Sequence, residues 1–305
     1  MNKLYTLLIF IVTLSVFSSC ENAKSNVNNK PQSSVDPAFN AYWYNGKAEL
    51  NHFLLQQVRY GEIRNGVADL IFVTEPFSRK KQVKLDDASQ AGNDVLNVLK
   101  LNFSKKFDTG IYPYSILTSV FTPVDLNKDP VSVKISTSVQ EWCGHVFTQL
   151  NLSKNNYLAG SFSYFENEGD KNESIEGALT EDGLWTTLRI NPAALPLGNV
   201  LLIPSTSYLR LKHKPLKAME AITSIGDGSF EEKTLKCYTV DYGERKLKIY
   251  YEGSFPFAIA GWEESYDEGG KMMTTRAIKN NTILLDYWAH NHNADDDLRK
   301  SYNGQ

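Results

Sequence analysis

From Lys47 onward, apolar and polar positions alternate with a period of two through most of the chain, as strands with two differently solvated faces require. The clearest unit is Glu49 to Arg64 and Val67 to Phe77 around Asn65-Gly66, a dipeptide suited to a type I′ hairpin turn. A two-residue loop there sets Arg64 opposite Val67, Glu62 opposite Asp69, Tyr60 opposite Ile71, Val58 opposite Val73 and Gln56 opposite Glu75. The other face carries Phe53, Leu55, Gln57, Arg59, Ala68, Leu70 and Phe72. Both faces are apolar near the middle, which places this hairpin inside a sheet, covered in part on both sides.

Further strands are predicted over 95–103, 114–124, 131–141, 145–152 and 157–166, with loops at 105–110 and 166–171. After Leu197 the period of two returns through Trp288, with short strands at 199–203 and 208–211. Turns at Gly226-Asp227-Gly228, Gly243-Glu244, Glu268-Gly269-Gly270 and Asn280-Asn281 divide the last five strands into an antiparallel meander. Two segments break the pattern. Asp36-Pro37 opens a short helix with Phe39, Tyr42 and Trp43 on one side, ending at Asn45-Gly46. Thr180 to Ile190 places Leu184, Trp185 and Leu188 at helical spacing, with Thr180 as cap and Asn191-Pro192 as stop, and reads as a packing lid. The expected fold is mainly β: a large curved antiparallel sheet or open half-barrel with one or two short helices, in a globular domain over 36–290. Two sheet halves are expected to meet near 190–205, and residues 291–305 read as a polar tail.

The first twenty residues carry a different message. Lys3, an apolar run from Leu4 to Phe17 too short to span a bilayer, and Ser18-Ser19 before Cys20 read as a signal peptide over 1–19 ending in a lipoprotein cleavage box. Cleavage there and acylation of the Cys20 thiol, for instance by palmitate, leave a chain anchored in the membrane by lipid. Glu21 to Val35, nearly devoid of apolar residues, is then a flexible tether. A cell-envelope lipoprotein follows, in the outer membrane in preference to the inner. Removing Lys3 takes the net charge from −3 to −4, which offers no basic field to a nucleic acid.

With Cys20 acylated, Cys143 and Cys237 remain, either joined in an oxidising compartment or buried as free thiols. If Gln140 to His145 is one strand, Glu141, Cys143 and His145 share a face, as a thiolate nucleophile or a metal site would need; a packed strand accounts for the same residues. Glu62 opposite Asp69 could couple two carboxylates, although near a hairpin tip water screens both. Arg59, on a face with Phe53 and Leu70, needs an anion: Glu141, or a carboxylate or phosphate ligand reached together with Tyr60 and Glu62. His290-Asn291-His292 with Asp295 to Asp297 has cation-binding residue types in a terminus that reads as polar and frayed. Arg210 to Lys214 is a short basic run on a predicted strand. No phosphate-binding loop, nucleophile elbow, His-Glu-x-x-His helix or paired Cys-x-x-Cys occurs, so no cofactor and no metal is expected.

Arg59-Tyr60-Gly61-Glu62, Phe72 to Ser78, Lys105 to Ser115 and Ser138 to His145, with Ile203-Pro204-Ser205 and Tyr208 to Leu211, resemble an uncharacterised family of Bacteroidetes lipoproteins over about residues 42 to 262. Members often carry the automatic label "septum formation inhibitor Maf". That label implies a cytosolic nucleotide pyrophosphatase opening with a Ser-Pro-Arg-Arg loop, which this chain lacks, and the resemblance brings no catalytic residues with it. The predicted curved sheet also resembles, as a fold only, lipoprotein carriers with a half-barrel wrapped about a helix. Function is expected to be non-enzymatic: an anchored module binding an apolar or amphipathic ligand or an envelope protein. The alternatives are an envelope hydrolase using Cys143 with His145 or the acidic residues, and a structural assembly scaffold.

Overall fold

The computed structural model describes residues 37–176 and 179–304; the expected signal peptide over 1–19, Cys20 and the expected tether lie outside them. Helix α1 (Pro37–Trp43) begins on a proline, whose missing N–H is spare at a helix start, and the chain turns at Gly46 with φ +80°. Eight strands then follow as a meander: β1 (Ala48–Arg59), β2 (Glu62–Ser78), β3 (Val95–Thr109), β4 (Tyr112–Pro123), β5 (Lys134–Glu141), β6 (Gly144–Ser153), β7 (Asn156–Phe162) and β8 (Lys171–Glu176). Helix α2 (Glu181–Ile190), β9 (Gly198–Leu202) and helix α3 (Thr206–Leu211) lead into a second meander. It comprises β10 (Met219–Phe230), β11 (Lys233–Asp241), β12 (Arg245–Tyr251), β13 (Ile259–Asp267) and β14 (Met272–Leu285), with helix α4 (Asp296–Asn303) last.

Strand β14 pairs antiparallel with β1, so the two meanders form one open 14-stranded sheet with β8 and β9 at its edges. The mainly β, open antiparallel architecture is the expected one. Along the chain the first meander ends at Glu176 and the strands resume at Gly198; in the sheet the two meanders are hydrogen-bonded through β1 and β14, and four short α-helices are present among the described residues instead of one or two.

The first hairpin turns elsewhere than expected. Tyr60 and Gly61, with φ +56° and +73°, make the two-residue turn, Arg59 lies opposite Glu62, and Asn65 and Gly66 lie inside β2 opposite Gln56 and Leu55. Gly66 serves close approach, not a turn. A Cβ there would sit 2.2 Å from the Lys106 carbonyl oxygen and 2.7 Å from Phe107 Cβ on β3. Asp69 consequently faces His52, not Glu62. The predicted loop at 105–110 is strand up to Thr109, and Gly226 to Gly228 continue β10 to a turn at Glu231-Glu232. Asn280-Asn281 is a bulge within β14 rather than a turn: His52 lies opposite Asn281 and Phe53 opposite Lys279. Residues 208–211, expected as strand, are helical, and the expected polar tail is the docked helix α4. Its Tyr302 hydroxyl donates to Asp69 at 2.7 Å, and its ring lies 5.3 Å from His52.

Every residue of α2 is buried. A flat sheet covers one side of a helix, so the sheet must curve around this one. Thr180 caps the helix, its hydroxyl accepting from the Gly183 amide at 3.2 Å, and Asn191 ends it, as the sequence predicts. The predicted lid is thus a core element. Trp185 meets Phe103 of β3 at 5.1 Å and Trp262 of β13 at 5.4 Å, and Trp262 meets Phe53 of β1 at 4.9 Å. The two ends of the helix are clamped by charge. At the first turn Glu181 accepts two bonds from Arg245 of β12, at 2.5 and 2.6 Å, and Arg245 also donates to Glu264 of β13 at 2.7 Å. At the last turn Arg189 donates to both Glu49 carboxylate oxygens, at 2.6 and 2.8 Å, and to the Pro256 carbonyl at 3.0 Å. Burial alone would raise the Glu49 carboxyl, but the Arg189 guanidinium, the Tyr42 hydroxyl and the Asn51 amide more than offset it and hold the carboxyl at about 2.

Two outcomes follow for stability. Glu49→Leu leaves Arg189 charged and buried, and should cost about 3–5 kcal/mol in urea unfolding, with much of the loss restored in the Glu49→Leu, Arg189→Leu double variant. A single-variant cost below about 1 kcal/mol, the range of exposed pairs, would refute the clamp. Because folding depresses the Glu49 carboxyl, its stabilisation is complete above the ordinary glutamate value of 4.5 and is lost as pH falls toward 2. Glu49→Gln should flatten that acid limb. Independently, Gly66→Ala should destabilise by about 1–3 kcal/mol through overpacking against β3 while Asn65→Ala costs a few tenths; equal costs would restore the Asn-Gly turn.

Candidate functional site

One rim of the sheet gathers the turns β1–β2, β3–β4 and β5–β6, the segment after β7, and α3. Turn residues ordinarily face water, yet here they include exposed large side chains: Ile111 is 85% exposed, Trp142 69%, Tyr164 68% and Tyr60 51%. They are not scattered. Tyr60 and Tyr114 share a hydrogen bond of 2.8 Å, the Tyr112 ring lies 5.9 Å from Tyr114 and 6.2 Å from Trp142, and Phe107 stacks on Tyr114 at 5.0 Å. Beneath the turn lies Arg59, its guanidinium carbon 4.1 Å from the centre of the Tyr60 ring. It donates to the Tyr60 and Tyr114 hydroxyls at 3.0 and 3.1 Å and to the Leu211 carbonyl of α3. Among the described residues no carboxylate forms an ion pair with Arg59, and its Nε is buried without a partner. Beside it, Arg210 stacks over Phe165 at 4.3 Å and lies 3.6 Å from Glu168, which also binds His213 at 2.6 Å.

The predicted site residues therefore reach this rim, though not in the expected arrangement. Arg59 and Tyr60 are neighbours in space as in sequence. Glu62 binds Arg64 at 2.7 Å in place of a coupled pair with Asp69. Glu141, Cys143 and His145 do not share a strand face: β5 ends at Glu141, Trp142 and Cys143 form the turn, and β6 places His145 opposite Gln140. The Cys143 amide donates to Glu141 at 2.6 Å, and a hydrogen bond to the Glu141 carboxylate, with its charge, pushes the exposed Cys143 thiol up. That is the reverse of nucleophile activation. Of the two alternatives for Cys143 and Cys237, a disulfide or two buried free thiols, the disulfide is not formed, and only Cys237 is buried. Cys143 is exposed at the β5–β6 turn, while Cys237 is buried on β11 and separated from it by many strands of the sheet. Among the described residues no group of three metal-ligating side chains occurs, and His290 lies 3.3 Å from Asp286 and 3.4 Å from Asp295. Cys20 lies outside the described residues. The members missed by sequence reasoning are Ile111, Tyr112, Trp142 and Tyr164, while Arg210, read as part of a basic run on a strand, lies on helix α3. Their available signal was a large apolar residue at a two-residue turn, as in Gly110-Ile111 and Trp142-Cys143.

The concave side offers little room. Beside the start of α2, among Ser132, Thr180, Gly183 and Leu184, the recess holds only about 20 Å³. A larger groove of about 620 Å³ lies on the opposite face of β6, β7 and β8. Lys105 projects inward on β3 near Arg245, Glu264, Glu181 and Asp182, and burial pushes its amine down. Burial pushes the Asp182 carboxyl up, against hydrogen bonds from the Thr206 amide and hydroxyl at 2.9 and 2.7 Å.

No family model and no curated protein sequence matches the chain. Among solved structures it is similar to a β-barrel-like protein of a domain of unknown function, DUF1849, from Brucella abortus, with 8% sequence identity and a TM-score of 0.45 over 78% of this chain and 97% of that one.

The thiols provide a check on the site. Thiol mapping of unfolded, unreduced protein should find both Cys143 and Cys237 free, and a disulfide-linked peptide pair in the mass spectrum would contradict the geometry. In the folded state Cys143 should alkylate slowly for an exposed thiol at neutral pH, and Glu141→Gln should speed it by lowering the thiol's proton affinity.

Proposed function

We propose that this protein is a non-enzymatic, lipid-anchored protein of the cell envelope, held by acylated Cys20 to the outer membrane, that docks an envelope protein through its aromatic rim. The observation that carries the reading is the placement of Tyr60, Ile111, Trp142 and Tyr164 on adjoining turns around a buried Arg59 that has no carboxylate partner among the described residues. Tyrosine, tryptophan and arginine are the residues that anchor protein interfaces, and a cation left unpaired beneath an apolar patch suits a partner carrying a carboxylate. Carriage of an apolar ligand inside the sheet has less support, since α2 and its aromatic neighbours fill the concave side. A hydrolase has less still: Cys143 is deactivated by Glu141, and His145 stands on β6, outside the turn that carries the thiol.

Metabolic labelling with a palmitate analogue tests the anchor, and a photo-crosslinking residue at Ile111 in intact cells tests the rim. The expected result is label and membrane sedimentation that both disappear in Cys20→Ser, together with one discrete crosslinked protein species that Trp142→Ala and Tyr60→Ala diminish at least about tenfold, as for loss of a central interface anchor. Unlabelled, unsedimented wild-type protein would refute the anchor. A crosslinking pattern unchanged by both substitutions, or a lipid retained stoichiometrically in native mass spectrometry after delipidation of the anchor, would refute rim docking in favour of carriage.

A further inference from the structure

The groove on β6, β7 and β8 lies on the face opposite the core. Val146, Leu150, Tyr157, Ala159 and Ile175 point inward, and the alternate positions form the outer surface. Register makes that surface into a slot. Gln149, Gly160 and Asn172 lie opposite one another on the three strands, so the two amide side chains flank a glycine floor across about 10 Å of sheet. On one side of this row Phe147 lies directly opposite Phe162, and on the other Leu158 stands between Asn151 and Ser174. Phe162 is 49% and Leu158 53% exposed, so these apolar groups are left facing solvent. The absent Gly160 side chain is what opens the slot: a Cβ there would lie 3.3 Å from Asn172 Oδ1 and 3.8 Å from the Phe162 ring.

The chemistry of the lining selects among ligands. Its polar groups are uncharged amides and a serine hydroxyl, its one charged member is the acidic Glu173, and no lysine or arginine lines it, which disfavours an anion. Polar groups at the centre disfavour an acyl chain, which would strip them of water without replacing their hydrogen bonds. Pairing of a further strand along the open edge of β8 is opposed by the charges of Lys171, Glu173 and Glu176. Two phenylalanine rings beside free amide donors and acceptors suit a neutral ligand with one apolar C–H face and an edge of hydroxyls. The Gln149 amide nitrogen is held by Asn151 at 2.7 Å and Asn151 by Gln82 at 2.6 Å, which fixes Gln149 with its carbonyl oxygen still able to accept. The volume, about 620 Å³, falls within the roughly 300–1,000 Å³ of small-molecule sites.

We infer that this slot is a carbohydrate-binding site, taking a neutral glycan chain with a pyranose ring stacked on Phe147 and Phe162 above the Gly160 floor and its hydroxyls on Gln149 and Asn172. The site is separate from the aromatic rim and stands whether or not the rim docks a protein. Calorimetry and saturation-transfer NMR on the soluble domain from residue 21, titrated with chitotetraose, cellotetraose and maltotetraose, provide the test. The expected result is saturable binding of at least one tetrasaccharide, weakened about tenfold by Phe162→Ala through loss of the stacking ring and abolished by Gly160→Val through filling of the slot. Asn172→Ala, at an exposed position of the edge strand β8, should weaken it as well, with melting temperature unchanged. No saturable binding of any of the three at millimolar concentration would overturn the inference. So would binding that both Phe162→Ala and Gly160→Val leave intact, or binding of decanoate in place of the sugars.

Discussion

Everything else in this molecule depends on one constraint: a ten-residue helix with charged residues at both ends is buried on every side. A helix so placed must have its end charges neutralised, because an isolated charge in the interior costs several kcal/mol even after relaxation. Glu181 is met by Arg245 and Arg189 by Glu49, and the two partners come from β12 and β1, on opposite meanders of the sheet. The clamps therefore do more than neutralise. They tie both halves of the sheet to one rigid body, so the curvature around α2 and the antiparallel joint between β1 and β14 support each other. Asp182, next to Glu181, has no such clamp among the described residues: burial pushes its carboxyl up, against the hydrogen bonds it accepts from the Thr206 amide and hydroxyl.

This constraint also explains which parts of the fold can be read from the sequence. Thr180, the Leu184, Trp185, Leu188 spacing and Asn191-Pro192 announce α2 directly, since capping and periodicity are local. Its surroundings are not local, and a helix with Thr, Gly and Asp among its residues reads as a lid on a surface. The first hairpin shows the same division. Moving its turn from Asn65-Gly66 to Tyr60-Gly61 shifts every cross-strand partner by an even number of residues. Faces are preserved under such a shift and partners are not. Arg59 accordingly appears on the same apolar face as Phe53, Leu55, Leu70 and Phe72, while the Glu62 and Asp69 pair dissolves. What decided the turn was the Gly66 contact with β3, a strand some forty residues away in sequence, which no local turn preference encodes.

The candidate site divides in the same way. Arg59 and Tyr60 are legible because a guanidinium among apolar alternate positions needs an explanation wherever the turn falls. Cys143 and His145 look chemical only while Gln140 to His145 is taken as a single strand; a turn at Trp142-Cys143 removes their common face and puts Glu141 beside the thiol. The same turn brings Trp142 to the rim, so the loss of one candidate is the origin of another. Sequence reading gives weight to residues with reactive groups and passes over tryptophan and isoleucine, whose meaning comes from exposure, a property of the assembled rim.

A filled interior shifts the question of function to the surface, and the surface is uneven in a physically specific way. Apolar exposure costs solubility and invites association, and two of the places where this protein has it are a rim of aromatic turns over an Arg59 that has no ion pair among the described residues, and a glycine-floored slot among neutral amides. Their chemistry is complementary to different things. The rim combines a cation with broad apolar contact, which suits a carboxylate-bearing surface, whereas the slot lacks cations and offers hydrogen bonds at short intervals beside two rings. The clamps at the two ends of α2 tie β1, whose last residue is Arg59, to β12 and β13 through one helix. The β5–β6 turn joins the two kinds of candidate, since it carries Trp142 to the rim and also sets Cys143 beside Glu141, whose carboxylate raises the proton affinity of the thiol.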